Sequence, residues 1–397
     1  MGRRYSSTAA ILLGLLLSSL GLQGAVVKPD ASAVEVAYLL VGSTLYTYDV
    51  DRTTGNPTEE GSGVGLESVS NTVVLPSGND HFIYVTGDDS SNVEWLWVYA
   101  TDSTGIPQAP AVQAVNLTDS GFTTYDFVIS SDGKLGYAAE SMYNAQSYTL
   151  AKIAEFTIDP TTGMVTKSAK AAATYKQNGP CLLSASAFFF IHGFNPAGNV
   201  LYDYWDCNYP FANLSANYYE RPVNRSNGAL GQDKQIFSWA DGTEGEDVVN
   251  ITPSAIIYFS IPNSTSYGMD SVNVYSLSGA AEFSCTAAML EACGYGIWNY
   301  VDPAGKFDLI ELAPDISEVT KIETAAEKLV DTSNYVEGEF LGFSPDDALI
   351  YTQQENQTNP WLYPIYVFDP STGAVTYTGG EIFNNNGGGT VIPALLR

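Results

Sequence analysis

The chain is short of positive charge. Among 397 residues there are 16 Lys and Arg against 44 Asp and Glu, a formal net charge of -28. Such a surface repels nucleic acid and anionic membranes, so neither is an expected partner. Charge of either sign is sparse at 15 %, no long acidic run occurs, and aromatics reach 12 %. That balance describes a folded chain with carboxylates spread over its surface, and it excludes a disordered one. Histidine is limited to His81 and His192, and cysteine to Cys181, Cys207, Cys285 and Cys293, with no C-x-x-C. A Cys/His zinc site is therefore poorly supplied, although zinc is the rival to disulfide bonding. The cysteines suit an oxidising compartment, and their placement predicts two bridges, Cys181 to Cys207 and Cys285 to Cys293. No G-x-S-x-G, Walker, Rossmann or EF-hand pattern is present, which removes the usual signatures of serine hydrolases, nucleotide enzymes and calcium sensors.

Long apolar runs are also missing beyond the start. "GRRY" is a basic segment and "AAILLGLLLSSLGL", residues 9–22, an apolar one. The pair reads as an export signal whose core is too short to span a bilayer comfortably. The expectation is a signal peptide over 1–25, with cleavage as late as residue 33, and a secreted or periplasmic protein. No second segment suits a membrane span, and the expected state is a monomer.

What the chain does have is repetition. "FTIDPTTGMV" begins at Phe156 and "VFDPSTGAVT" at Val367, with looser copies at "YDVDRTTGNPT", "YATDSTGIPQ", "VNRSNGAL" and "YSLSGAAEF". Asp accepting from the amides ahead of it, Pro presetting φ and Gly taking positive φ describe a bulged hairpin. A second phrase alternates with the first: "VVLPSGNDHFIYV", "FVISSDGKLGYAA", "GFNPAGNVLYDY", "NITPSAIIYFS", "YVDPAGKFDLIEL" and "GFSPDDALIYT". Its turns recur roughly every 40 to 65 residues, a spacing that fits four short strands per unit and a β-propeller. The first unit lacks an inner strand, and the closing "TVIPALLR" can supply it. The predicted architecture is a single all-β domain over 34–397. It has seven four-stranded antiparallel blades, and the C-terminal strand closes the ring on the N-terminal blade.

These alternating phrases resemble the seven-bladed lactonase family, of the 6-phosphogluconolactonase and muconate-lactonizing type with YVTN-type repeats. The resemblance covers essentially the whole chain after residue 33. It implies lactone hydrolysis at the mouth of a central channel, with a histidine upstream of a turn, arginines and a glutamate. The matching histidine position falls on Phe190, while His192 follows within "FFFIHGF".

A hydrolase needs a base for water or an acid for the leaving oxygen. The catalytic candidates are Glu140, Asp206 and His192. Tyr143, Trp205, Trp298 and Trp361 could stack on a sugar-like ring, and Arg221 is a cation placed near the mouth. No metal ligand is assigned and no cofactor is required, although Ca2+ would suit carboxylates grouped around Glu140, Asp206 and Glu246. Arg52, Lys134, Arg225 and Lys306 fall on hairpin turns at the far end, and Lys176 and Arg221 are the few cations near the mouth, which disfavours a phosphosugar. Two functions stand at this point. One is a lactonase-like enzyme acting on a neutral or sugar-derived lactone. The other is a non-enzymatic propeller that binds a glycan or a protein partner. Convergence of Glu140, Asp206 and His192 would favour the enzyme.

Overall fold

The computed structural model describes residues 34–396, apart from 69, 77–80, 92, 145–147, 178–186, 196, 208–213, 242–247, 252–254, 261–270, 277–280, 287–298, 314–315, 324–327, 355–360 and 386–387. The expected signal peptide, and with it the cleavage region, lies outside the described residues. Those that are described form strands and turns, with no helix long and apolar enough to cross a membrane.

The strands group in chain order into seven antiparallel sheets among the described residues. The first holds β1 (Val34–Val41), β2 (Thr44–Val50) and β3 (Pro57–Gly65), and the second β4 (Ser70–Pro76), β5 (Phe82–Asp88), β6 (Glu94–Thr101) and β7 (Pro107–Asn116). The third holds β8 (Thr123–Ile129), β9 (Leu135–Asn144), β10 (Tyr148–Ile158), β11 (Val165–Lys167) and β12 (Ala173–Gln177). The fourth runs through β13 (Ala187–Phe194), β14 (Val200–Cys207), β15 (Leu214–Pro222) and β16 (Lys234–Asp241). The fifth comprises β17 (Val248–Ile251), β18 (Ala255–Ser260), β19 (Ser271–Ser276) and β20 (Ala281–Thr286). The sixth comprises β21 (Asn299–Val301), β22 (Phe307–Ala313), β23 (Ile316–Glu323) and β24 (Lys328–Glu337). The seventh comprises β25 (Glu339–Phe343), β26 (Leu349–Gln353), β27 (Trp361–Asp369) and β28 (Ala374–Asn384), after which β29 (Thr390–Leu396) pairs antiparallel with β1. Tyr38 faces Ile392 in that last register, so the first sheet takes its missing strand from the other end of the chain, as the sequence predicts.

Neighbouring sheets share apolar cores. Val36, Tyr38 and Leu40 of β1 pack on Val74, Ile83 and Trp97 of the second sheet. Ala37 and Leu39, pointing the other way, pack on Tyr351, Tyr363 and Ile365 of the seventh. Successive side chains of a strand point to opposite faces. A strand covered on both faces is therefore apolar throughout, which is why "VAYLLV" shows no polar alternation. Comparable cores join the second sheet to the third, the third to the fourth and the sixth to the seventh.

The repeated phrases explain these contacts. In the first phrase Asp159 Oδ1 accepts from Thr161 N at 2.8 Å and Thr162 N at 3.2 Å, and Gly163 N donates to Asp159 O at 2.8 Å. Gly163 has φ +68°, and a Cβ there would run into the Phe82 ring of the preceding sheet. Glycine is needed both for its backbone conformation and for the close approach. Its carbonyl receives Tyr84 Oη at 3.4 Å. Tyr38 reaches Gly105 O at 2.9 Å and Tyr137 reaches Gly228 O at 2.7 Å in the same way. A buried tyrosine of one sheet thus holds the last hairpin of the next. In the second phrase the side-chain oxygens of Ser130, Asn195, Asp302 and Ser344 each accept the amide five residues on, at 3.0, 3.0, 2.8 and 2.9 Å.

One element departs from the expected four-strand unit. β11 covers only the end of β10, and β12 returns to pair with its beginning. The outer edge of the third sheet is split between them.

Candidate functional site

In the second to seventh sheets the first strand ends and the second begins at one end of the sheet, and the second ends and the third begins at the other, the end expected to carry the mouth. Two polar groupings lie toward the mouth end, where the second sheet meets the third.

The first surrounds Glu140. Glu140, a catalytic candidate, lies within β9, which continues to Asn144, and its side chain is fully buried. It shares a face with Ala138, and its partner across the ladder is Lys152. Lys152 Nζ lies 3.1 Å from Glu140 Oε2, and Lys167 Nζ 3.0 Å from Oε1. Asp119 N donates to Oε2 at 3.0 Å. The Asp119 carboxylate bonds Lys152 and lies 2.9 Å from Lys167, which also donates to Leu117 O at 2.6 Å. Burial opposes ionisation of Asp119, but the hydrogen bonds from Lys152 and Lys167 outweigh it and hold its pKa below the ordinary range. Lys152 also sits 4.1 Å from the centre of the Phe122 ring, a cation–π contact. Two carboxylates and two ammonium groups thus balance in charge and tie the inter-sheet loop to β9, β10 and β11. A cavity of about 240 Å³ opens beside them at the split edge, lined by Asp119, Lys152, Lys167, Ser168 and small alanines.

The second grouping is acidic. Asp88 and Glu94 are directly opposed across β5 and β6, and Glu94 lies on the same face as Leu96 and Val98, toward the third sheet. Asp126 stands on β8 just past a break in register, and its Oδ2 accepts Ile191 N of the fourth sheet at 3.3 Å. Glu94 and Asp126 are both half-buried. Burial, then the charges of Asp88 and Asp126, push Glu94 up to about 8. Burial pushes Asp126 up to about 7, against the pull of the Ile191 amide. Low dielectric and like charge disfavour the ionised form of each.

His192 is 8 % exposed at the register break of β13, its Nδ1 3.2 Å from Tyr218 Oη. Arg221, expected near the mouth, lies beside Pro222 at the hairpin end of β15, because the antiparallel strand enters from the mouth and ends at the turn. It is buried and forked onto Asp203, with Nη2 to Oδ1 at 3.2 Å. Burial lifts Asp203 to about 6, while Arg221 pulls it down. Trp361 begins β27 at the mouth end, half-buried against the core shared by the seventh and first sheets. Cys181, Cys293, Trp298 and Glu246 lie outside the described residues, as do the side chains of Tyr143, Trp205, Asp206, Cys207 and Cys285. The structure joins Glu140 to lysines and His192 to a tyrosine, in separate networks. Asp126 was missed from sequence, although a lone acid in the apolar strand "TTYDFVI" was its visible signal.

No family model matches the chain, and no curated protein matches it in sequence. Solved structures match in fold. A candidate 6-phosphogluconolactonase from Bacteroides uniformis ATCC 8492 is 14 % identical with a TM-score of 0.57, covering 91 % of this chain and 99 % of that one. A second, from Bacteroides fragilis NCTC 9343, is 15 % identical with a TM-score of 0.57, covering 93 % and 100 %. At such identities the likeness is one of fold, a lactonase-like β-propeller, and activity has to be argued from the site.

Proposed function

We propose that the seven sheets are the blades of a closed ring, and that the chain opens a neutral or sugar-derived lactone at the mouth end of the central channel. The core shared by the first and seventh sheets supports closure. The observation that carries the chemistry is the pair Glu94 and Asp126. They are half-buried carboxyls, Glu94 at the start of β6 and Asp126 midway along β8, poised at about 8 and about 7. Near neutral pH the lower of the two supplies a carboxylate and the higher a carboxylic acid, which is how environment assigns base and acid to like groups. Asp126 takes a proton from water as its oxygen attacks the lactone carbonyl. Glu94 gives its proton to the ring oxygen as the acyl–oxygen bond breaks. The product is a hydroxy acid, and exchange with solvent restores both groups. Arg221 is engaged by Asp203, which fits a substrate without an anionic group. The leader-like start is consistent with work outside the cytoplasm, which N-terminal sequencing of the exported protein would test.

A second reading, a non-enzymatic propeller that binds a glycan or protein, is favoured by one observation. Glu140, His192 and Arg221 are all occupied by internal partners. Proton release from a panel of sugar and aliphatic lactones decides between the two. Turnover by the wild type that Glu94→Gln and Asp126→Asn each reduce by about 10²–10⁴-fold, with folding intact, supports the hydrolase. No turnover on any lactone supports the binding protein.

A further inference from the structure

A different pair of acids lies at the opposite end of the strands. Asp302 begins the first hairpin turn of the sixth sheet, and Asp347 sits in the matching turn of the seventh, 1 % and 4 % exposed. Asp302 Oδ1 is taken by Lys306 N at 2.6 Å and Phe307 N at 2.8 Å. Asp302 Oδ2 and both carboxyl oxygens of Asp347 have no hydrogen-bond partner. Asp347 has φ +66°, where the matching turns use Gly133, Gly198 and Gly305 at φ +65°, +65° and +72°. The residue that fits this backbone without cost is glycine, and the chain instead places a carboxylate there, facing a second one.

The charges nearby do not settle the pair. Burial raises both acids, and the charge of Asp302 raises Asp347 further, to about 9, while Lys306 pulls the other way. Lys306 is itself exposed. Arg52, reaching in from the first sheet, is paired with Asp346. Buried carboxylates without hydrogen bonds or a counter-charge are costly. We infer that Asp302 and Asp347 bind a calcium ion between the sixth and seventh sheets. Three free oxygens on two carboxylates suit a hard cation that takes oxygen ligands and completes its shell with carbonyls and water. Such an ion would also pin these two sheets together at the hairpin end.

Thermal unfolding of the full chain in calcium chloride and in EDTA tests this, beside Asp347→Asn and Asp347→Gly, both compatible with positive φ. The expected result is a wild-type Tm raised by a few degrees in calcium. Neither variant should show that rise, and in EDTA each should match or exceed the wild type because the repulsion is gone. Titration calorimetry should show one calcium site in the wild type and none in the variants. A wild-type Tm indifferent to calcium and EDTA would overturn the inference and leave a shared proton between the two carboxyls. A calcium-induced rise retained by both variants would overturn it as well, since the ion would then bind elsewhere.

Discussion

Replacing Glu140 by Gln separates a structural acid from a catalytic one. Glu140 is fully buried and receives Lys152 at 3.1 Å, Lys167 at 3.0 Å and the Asp119 amide at 3.0 Å. The amide keeps the shape and one acceptor oxygen, but it turns an NH2 group toward an ammonium. It also leaves Asp119 alone to balance two lysines. Removing one partner of a buried charge cluster costs about 3–5 kcal/mol. The lysine side chains are 10 % and 20 % exposed and Asp119 51 % exposed, so water relieves part of that and about 2–4 kcal/mol is the expectation. The assay is denaturant unfolding followed by fluorescence, with lactone turnover measured well below the midpoint. The expected variant is clearly destabilised yet turns over at a rate within a few-fold of wild type. A loss below about 1 kcal/mol together with abolished turnover would refute the structural assignment and return Glu140 to the catalytic site.

Three further outcomes are expected. Tyr137→Phe should cost about 1–3 kcal/mol, because it strands the Gly228 carbonyl that the hydroxyl meets at 2.7 Å. Tyr84→Phe, whose bond is 3.4 Å, should cost less, and equal losses in denaturant unfolding would remove the tyrosine latch as an explanation. Burial raises Glu35 from 4.5 to about 8, against Tyr351 and Arg52. Its folded form therefore binds a proton more tightly than the unfolded one, and its stabilisation, complete below about 4.5, is lost as pH rises through about 8. Glu35→Gln should flatten that decline, by something on the order of 3–5 kcal/mol across the interval, readable from unfolding curves at stepped pH. For the lactone reaction, kcat/KM should rise as Asp126 ionises through about 7 and fall as Glu94 ionises through about 8. Glu94→Gln should abolish the falling limb in the residual activity, and a profile flat from pH 6 to 9 would count against the assignment.

Local rules carried most of the fold. The Asp-Pro-x-x-Gly and Pro-x-Gly phrases encode hairpins because their residues act within a few positions, through an Asx oxygen, a fixed φ and a positive φ. Their alternation yields four-stranded units, and "TVIPALLR" could be recognised as a displaced inner strand because it repeats the inner-strand pattern. The same phrases do not say what the turn glycine touches. That Gly163 meets Phe82 and Tyr84, and Gly228 meets Tyr137, follows from the packing of one sheet on the next. The split outer edge at β11 and β12 was likewise invisible, because both segments are ordinary strands and only their shared partner distinguishes them.

For this protein the sequence by itself determined the all-β class, the hairpins, the period and an acidic surface short of histidine. Each is written in adjacent residues or in bulk composition. Tertiary structure alone decided which acids are neutralised and which are poised. Glu140 and Glu94 look equally eligible in the sequence. One is met by lysines from two other strands, and the other faces Asp88 across the sheet and Asp126 beyond it. The pKa of a carboxyl is set by the charges and solvent within a few ångströms, and those neighbours come from sheets that are distant in sequence.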